Sequence, residues 1–213
     1  MKKIYPINNI THMMSKYKIL GLSLLFVAFS NTGYAQNQSI VSSVNYDALK
    51  LRNVSTGFAS GRIADIAIHP NDDNIWYVAV GSGGIFKTEN AGVTWTPIFD
   101  NQSVYSIGSI TIDPTHPNII WVGTGENVGG RHVSFGDGVY KSEDGGSTWK
   151  NMGLTASERI SKVVIHPNNS DIVWVAAQGP LWKSGGERGL YKSTNGGQTW
   201  QKTLGDSEWV GVT

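Results

Sequence analysis

The chain has 213 residues, 39% of them hydrophobic and 15% charged, with 26 glycines, 8 tryptophans, 7 prolines, no cysteine and a net charge of +1. That length suits one domain or two small ones with a real core, and the Gly- and Trp-rich, Pro-poor balance favours many short turns over a disordered linker, hence an all-β fold. The absence of cysteine excludes a disulfide framework, a thiol nucleophile and a Cys-type zinc site, and the near-neutral charge gives no footprint for nucleic acid.

Residues 1–35 differ from the rest. Lys2, Lys3, Lys16 and Lys18 precede the apolar run ILGLSLLFVAFS (19–30), and NTGYAQ follows with Ala35 as the last residue before cleavage. This predicts a secretory signal peptide, with translation able to begin at Met13 or Met14; twelve apolar residues fall well short of the roughly 20 that span a bilayer, so no stable membrane span is expected after cleavage. The expected location is secreted, periplasmic or cell-surface. Removal takes four of the 17 Lys+Arg and none of the 16 Asp+Glu, leaving a net charge of −3. A lead-in over 36–57 follows.

From about residue 58 the chain repeats. IADIAIHPNDDNIWYVAVGSGGIFKTENAGVTW (63–95), ITIDPTHPNIIWVGTGENVGGRHVSFGDGVYKSEDGGSTW (110–149) and SKVVIHPNNSDIVWVAAQGPLWKSGGERGLYKSTNGGQTW (161–200) align, their closing tryptophans Trp95, Trp149 and Trp200 lying 54 and 51 residues apart. Within each unit the hydrophobic period is two. A first β-branched run stops at Pro70, Pro114 or Pro167; a second run follows (NIWYVAV, IIWVGTG, IVWVAA), then a third (GIFKT, GVYKS, GLYKS), and a fourth begins at the Trp. Four antiparallel strands per unit of about fifty residues predict the blades of a β-propeller. The expected blades cover 58–100, 101–153 and 154–204, with the start of a fourth at 205–213. His69 and His166 share a repeat position with Asp113 and are expected to serve as turn residues at a strand end.

Each unit closes on an eight-residue box: TENAGVTW (88–95), SEDGGSTW (142–149) and STNGGQTW (193–200). Asp144 in the second is replaced by Asn90 in the first and Asn195 in the third. Asn keeps a turn-forming side-chain oxygen but loses the charge, which a catalytic acid or hard-cation ligand tolerates badly and a turn cap does not notice. The boxes, with Trp95, Trp149 and Trp200, are therefore expected to be structural.

SEDGGSTW matches the Asp-box, S-x-D-x-G-x-T-W, of bacterial neuraminidase-type repeats; the box at 193–200 departs only at Asn195 and that at 88–95 at Thr88 and Asn90. The whole repeat over 58–213 resembles the sortilin-type receptor propeller and its secreted bacterial relatives, often labelled glycosyl hydrolase-like, and is also similar to xyloglucan-cleaving glycoside hydrolases and a photosystem assembly factor. The resemblance implies Asp-boxes on the face away from the ligand. It also leads one to expect another first strand at WVGVT (209–213). Since closed propellers take about four blades or more, the chain is expected to be an N-terminal part of a longer protein, poorly soluble through its open blade edges.

The opposite rim is the expected working face, because the second-to-third connection is short at GSGG (81–84) but swells to 126–137 and 179–189. Candidate ligand-binding residues are Glu126, Asn127, Arg131, His132, Asp137, Gln178, Trp182 and Arg188, with Arg62 and Arg159 from the connections before first strands. No catalytic residue, metal site or cofactor is assigned, and GSGG leads into a strand, so it lacks the helix N-terminus of a phosphate cradle. The leading reading is a non-catalytic binder of a protein, peptide or glycan. The alternative is a glycoside hydrolase, whose two carboxylates stand about 5 to 9.5 Å apart; Glu126 and Asp137 are the conceivable pair. In the xyloglucan-cleaving relatives the resemblance places a catalytic Asp in a T-D-x-G-G stretch, where this chain has Gly81 and Ser82. A sialidase would want an R-I-P opening, of which G-R-I-A (61–64) is a partial echo.

Overall fold

The computed structural model describes residues 62–127 and 133–213. The proposed signal peptide (1–35), the lead-in (36–57), Arg131 and His132 lie outside the described residues. Three four-stranded antiparallel sheets follow one another along the chain, each with its strands in sequence order. The first holds β1 (Ile63–Ile68), β2 (Trp76–Val80), β3 (Gly84–Thr88) and β4 (Thr96–Pro97). The second holds β5 (Ile107–Ile112), β6 (Ile120–Thr124), β7 (Val139–Ser142) and β8 (Lys150–Asn151). The third holds β9 (Ile160–His166), β10 (Asn169–Ala177), β11 (Gly189–Ser193) and β12 (Gln201–Leu204). The first strands β1, β5 and β9 pack in that order. The fold is all-β, three consecutive blades of a propeller with the first strand of each blade innermost.

Period-two alternation explains the packing. In the first interface Tyr77, Ala79, Ile85 and Phe99 of one blade meet Ile107, Ile110, Ile120 and Val122 of the next. In the second, Trp121 and Val139 meet Ile160, Val163, Val173 and Val175. The middle blade is covered on both faces, so all five residues of β6 are buried, and successive side chains serve alternate interfaces. That is why IIWVGT reads as a continuous apolar run rather than an alternating one.

The fourth strands start one residue after the tryptophan rather than at it, and β4 and β8 have two residues each. The indoles of Trp149 and Trp200 are turned back into the preceding blade. Short outer strands, one carrying Pro97, limit the exposed edge that a further strand could join. Residues 205–213 carry no strand; there Val212 N donates to Ala177 O at 3.1 Å and Val212 O accepts from Ser161 Oγ at 3.1 Å. No helix among the described residues is long and apolar enough to cross a membrane.

Along the first strands runs a cleft of about 410 Å³ lined by Ile66, Ile68, Thr111, Ile112, Lys162 and Val164 among others. Asp65, Ser109 and Lys162 hold the same repeat position there, next to a bulge that each first strand carries. Asp65 Oδ2 accepts from Ile110 N at 3.2 Å, and Ser109 Oγ accepts from Val163 N at 3.3 Å, so each side chain caps the next blade's inner edge. Lys162 has no acceptor to offer and instead donates to Asp65 Oδ2 at 2.7 Å, tying the first blade to the third.

Candidate functional site

The connections fall at two ends of the blades. At one end sit the eight-residue boxes. Ser142 Oγ accepts from Gly146 N at 2.8 Å and donates to Asp144 Oδ1 at 2.8 Å, and Asp144 accepts from Thr148 N at 2.8 Å and Thr148 Oγ1 at 2.6 Å. These hydrogen bonds from Thr148 hold the Asp144 carboxyl down at about 2, because they favour its charged form. Asn90 and Asn195 keep the backbone bond, accepting from Thr94 N at 2.8 Å and Thr199 N at 3.0 Å, but their amides donate to the threonine hydroxyl where Asp144 accepts. All the bonds close within the turn. Gly197 shows why the box needs glycine: its φ is +86°, and a Cβ there would collide with the Trp121 ring.

Two of the three rings at the box ends reach backward. Trp149 Nε1 donates to Ile98 O and Trp200 Nε1 to Met152 O, both at 2.7 Å, and Trp200 stands edge-on to Trp121 at 6.0 Å. Trp95 stands 6.5 Å from Trp76. At the far end of the first strands His69 Nδ1 and His166 Nδ1 accept from the backbone N–H two residues on, at 3.2 Å each, as Asp113 Oδ1 does from Thr115 N at 2.8 Å.

The opposite end is the rim. Gly81 N, Gly125 N and Gln178 N donate to Arg62 O, Ser106 O and Arg159 O at 2.9, 2.7 and 3.0 Å, so in every blade the second strand's end is tied to the connection before the first. Glu126 is 2% exposed, and its Oε1 pairs with Arg62 Nη2 of the neighbouring blade at 2.8 Å. A side chain on Gly81 would collide with that oxygen, so the bare backbone there makes room for the carboxylate. Asn127 Nδ2 donates to Gly108 O at 3.3 Å and Ser161 O at 3.2 Å, bridging the bulges of β5 and β9. Asp137 lies apart from Glu126 in its contacts: its Oδ2 accepts from Ser103 Oγ at 2.5 Å and Tyr140 OH at 2.8 Å. Burial pushes the Tyr140 hydroxyl above its ordinary range.

Arg159 is 4% exposed, donating to Glu158 Oε2 and Val133 O at 3.3 Å each. Arg188 is 6% exposed and donates only to its own loop, to Gly185 O and Gln178 O at 2.9 Å, Lys183 O at 2.7 Å and Pro180 O. It clamps the connection rather than presenting a free guanidinium. Four buried polar atoms of the rim candidates keep no partner among the described residues: Glu126 Oε2, Asp137 Oδ1, Arg159 Nε and Gln178 Oε1. The described residues hold no group of three or more His, Asp or Glu able to bind a metal.

Trp182 is 78% exposed, and it has company that sequence reasoning missed. Tyr105, Phe135 and Trp209 are 60%, 66% and 66% exposed, and with Trp182 they are the exposed aromatic rings among the described residues. Their loops are joined in series. Tyr105 OH meets Ser134 Oγ at 3.4 Å, Gly136 N donates to Glu158 O at 2.7 Å, Glu158 pairs with Lys183 Nζ at 2.5 Å, and Gly185 N donates to Glu208 O at 2.9 Å. The signal available in the sequence was an aromatic standing in a connection, outside the strand alternation that buries its counterparts.

No protein-family model matches the chain. It is 28% identical over 204 residues to the xyloglucanase Xgh74A of Acetivibrio thermocellus, which covers 88% of this chain and 23% of that protein. It is also 28% identical over 172 residues to a xyloglucanase of Hypocrea jecorina, covering 73% of this chain and 19% of that one. Among solved structures, the GH74 enzyme of Niastella koreensis superposes with a TM-score of 0.52 at 26% identity over 67% of this chain and 21% of its own. An ancestral GH74 enzyme superposes at 0.57 and 22% identity, over 70% and 19%, a likeness of fold. The chain thus spans under a quarter of the length of the relatives it matches, and those relatives are xyloglucanase β-propeller proteins.

Proposed function

We propose that the chain is part of an exported glycan-acting propeller of the xyloglucanase type, whose rim takes a β-linked glucan across successive blades. The observation that carries this is the row of Tyr105, Phe135, Trp182 and Trp209 on loops hydrogen-bonded in series. Exposed rings on the connections of successive blades offer flat apolar faces, and a pyranose presents a matching C–H face with hydroxyls at its edge. On the same rim Glu126, Asp137, Arg159 and Gln178 each keep one buried polar atom without a partner among the described residues, and Arg62 and Asn127 add further polar groups suited to the hydroxyls. The names of the curated relatives support xyloglucan as the substrate. The apolar run before Ala35 supports export.

A second reading, capture of a glycan, protein or peptide without cleavage, also has a specific observation behind it. The rim carboxylates Glu126, Asp137 and Glu158 are engaged, the first by Arg62, the second by Ser103 and Tyr140, and the third by Lys183, and position 81 is glycine. A xyloglucan affinity gel and a reducing-end assay on the full chain separate the two. Retardation with sugar release fits the hydrolase, and retardation alone fits the binder. A chain neither retarded by nor acting on xyloglucan removes the glycan proposal.

A further inference from the structure

On the face opposite the rim, between consecutive boxes, the chain builds the same small cavity twice. The first, about 230 Å³, is lined by Lys87, Glu89, Thr94, Ile98, Gly145 and Ser147, with Thr96 and Gly146. The second, about 320 Å³, is lined by their repeat counterparts Lys141, Glu143, Thr148, Met152, Gly196 and Gln198, with Trp149 and Lys150. Both lie at or below the low end of the roughly 300–1,000 Å³ of drug-sized sites, which leaves room for one ring and not for a chain.

The polar groups are set in the same way in both. Each lysine is largely buried, with its side chain 20% and 14% exposed, and pairs at 2.7 Å with a glutamate that is 70% and 72% exposed. The ammonium also stands 5.6 Å from the ring of Tyr77 or Trp121 in its own blade, which fixes the stem across an aromatic floor. It reaches the next blade's turn, 3.9 Å and 3.7 Å from where a Cβ on Gly145 or Gly196 would stand. Burial lowers the proton affinity of Lys87, but Glu89 and Tyr77 outweigh it and raise the net value. Lys141 holds the Glu143 carboxyl below its ordinary range. Lys87 and Glu143 are therefore held in their charged forms at neutral pH.

A matched ion pair gives a charged ligand no net attraction, while an ammonium and a carboxylate side by side offer donors and acceptors together. A hydroxyl is both. The threonine adds a third polar group whose role is set by the box: Thr148 Oγ1 gives its proton to Asp144, so it accepts from the cavity, whereas Thr94 Oγ1 accepts from Asn90 Nδ2 and keeps its proton to donate. Ile98 in one cavity, and Trp149 with Met152 in the other, supply an apolar wall. We propose that these two cavities are binding sites for single neutral pyranose units, one at each blade junction. The proposal stands on its own geometry and does not depend on the rim.

The test is NMR titration of the full isotope-labelled chain with glucose, xylose and, separately, sodium sulfate. The expected result is saturable shifts of the Trp149 indole N–H and the Gly145 and Gly196 amides, with a Kd of about 1–10 mM for a sugar and no response to sulfate. Lys141→Met, which keeps the stem over Trp121, weakens the Gly196 response at least tenfold and spares Gly145, while Lys87→Met does the reverse. Glu143→Gln, at an exposed position, gives the same loss as Lys141→Met should that variant fold poorly. Trp182→Ala, which acts at the rim, leaves these shifts in place. Shifts driven by sulfate, no saturable shift up to about 100 mM sugar, or an unchanged response in Glu143→Gln overturns the proposal.

Discussion

The indole N–H of Trp149 donates to the carbonyl oxygen of Ile98 at 2.7 Å, so the tryptophan that closes one blade is anchored in the blade before it. Trp200 repeats the bond with Met152, three residues after Trp149 as Ile98 is three after Trp95. Edge-on contact with Phe99 at 5.2 Å seats the Trp149 ring further. The second and third boxes thus position blades relative to each other as well as turning the chain.

Trp149→Ala is expected to destabilise by about 3–5 kcal/mol, the range for deleting a large packed ring. Trp149→Phe should cost about 1–2 kcal/mol, since it keeps part of the packing and loses one hydrogen bond. Urea unfolding followed by far-UV circular dichroism measures both, and a Trp149→Phe variant as stable as the wild type would show that the Ile98 bond adds nothing.

The pair Arg62–Glu126 is lopsided, with side chains 53% and 3% exposed. Removing the exposed partner strands a buried charge, so Arg62→Ala should cost about 1–3 kcal/mol. Adding Glu126→Gln should restore part of that loss, because a neutral amide is cheaper to bury. A double-mutant cycle in urea checks the sign; a double variant less stable than Arg62→Ala alone would refute the account.

Asp144 sits at about 2 in the folded chain, below its value near 3.9 when unfolded. As pH falls, the unfolded state takes up the proton first, so the contribution of Asp144 is present above about pH 4 and is lost toward pH 2. Asp144→Asn should fold, since Asn90 and Asn195 make the same backbone bond at 2.8 and 3.0 Å. Its melting temperature should fall less steeply than the wild type's between pH 4 and 2, and parallel acid limbs would contradict this.

Trp182→Ala should leave stability within about 0.5 kcal/mol, as the ring is 78% exposed. Retardation in a xyloglucan gel should weaken by about tenfold, the equivalent of 1.4 kcal/mol. Loss of binding together with loss of stability would instead mark Trp182 as a packing residue.

Period-two alternation, prolines at strand ends and boxes 54 and 51 residues apart determined the strands, their order and the repeat, because those features act within a few residues of one another. The same local logic covers His69, His166 and Asp113, each accepting from the backbone just beyond it. Only the tertiary structure decided which rim residues are free. Arg188 looks available in GPLWKSGGERG and is bound up with its own loop's carbonyls, while Glu126 is paired with Arg62, 64 positions away and in another blade. Tyr105 and Phe135 join Trp182 only because hydrogen bonds between loops set them in series. Turns are short-range hydrogen-bond problems, legible in eight letters; a rim is assembled from blades some fifty residues apart, and the partner of a charge there depends on packing that no local pattern encodes.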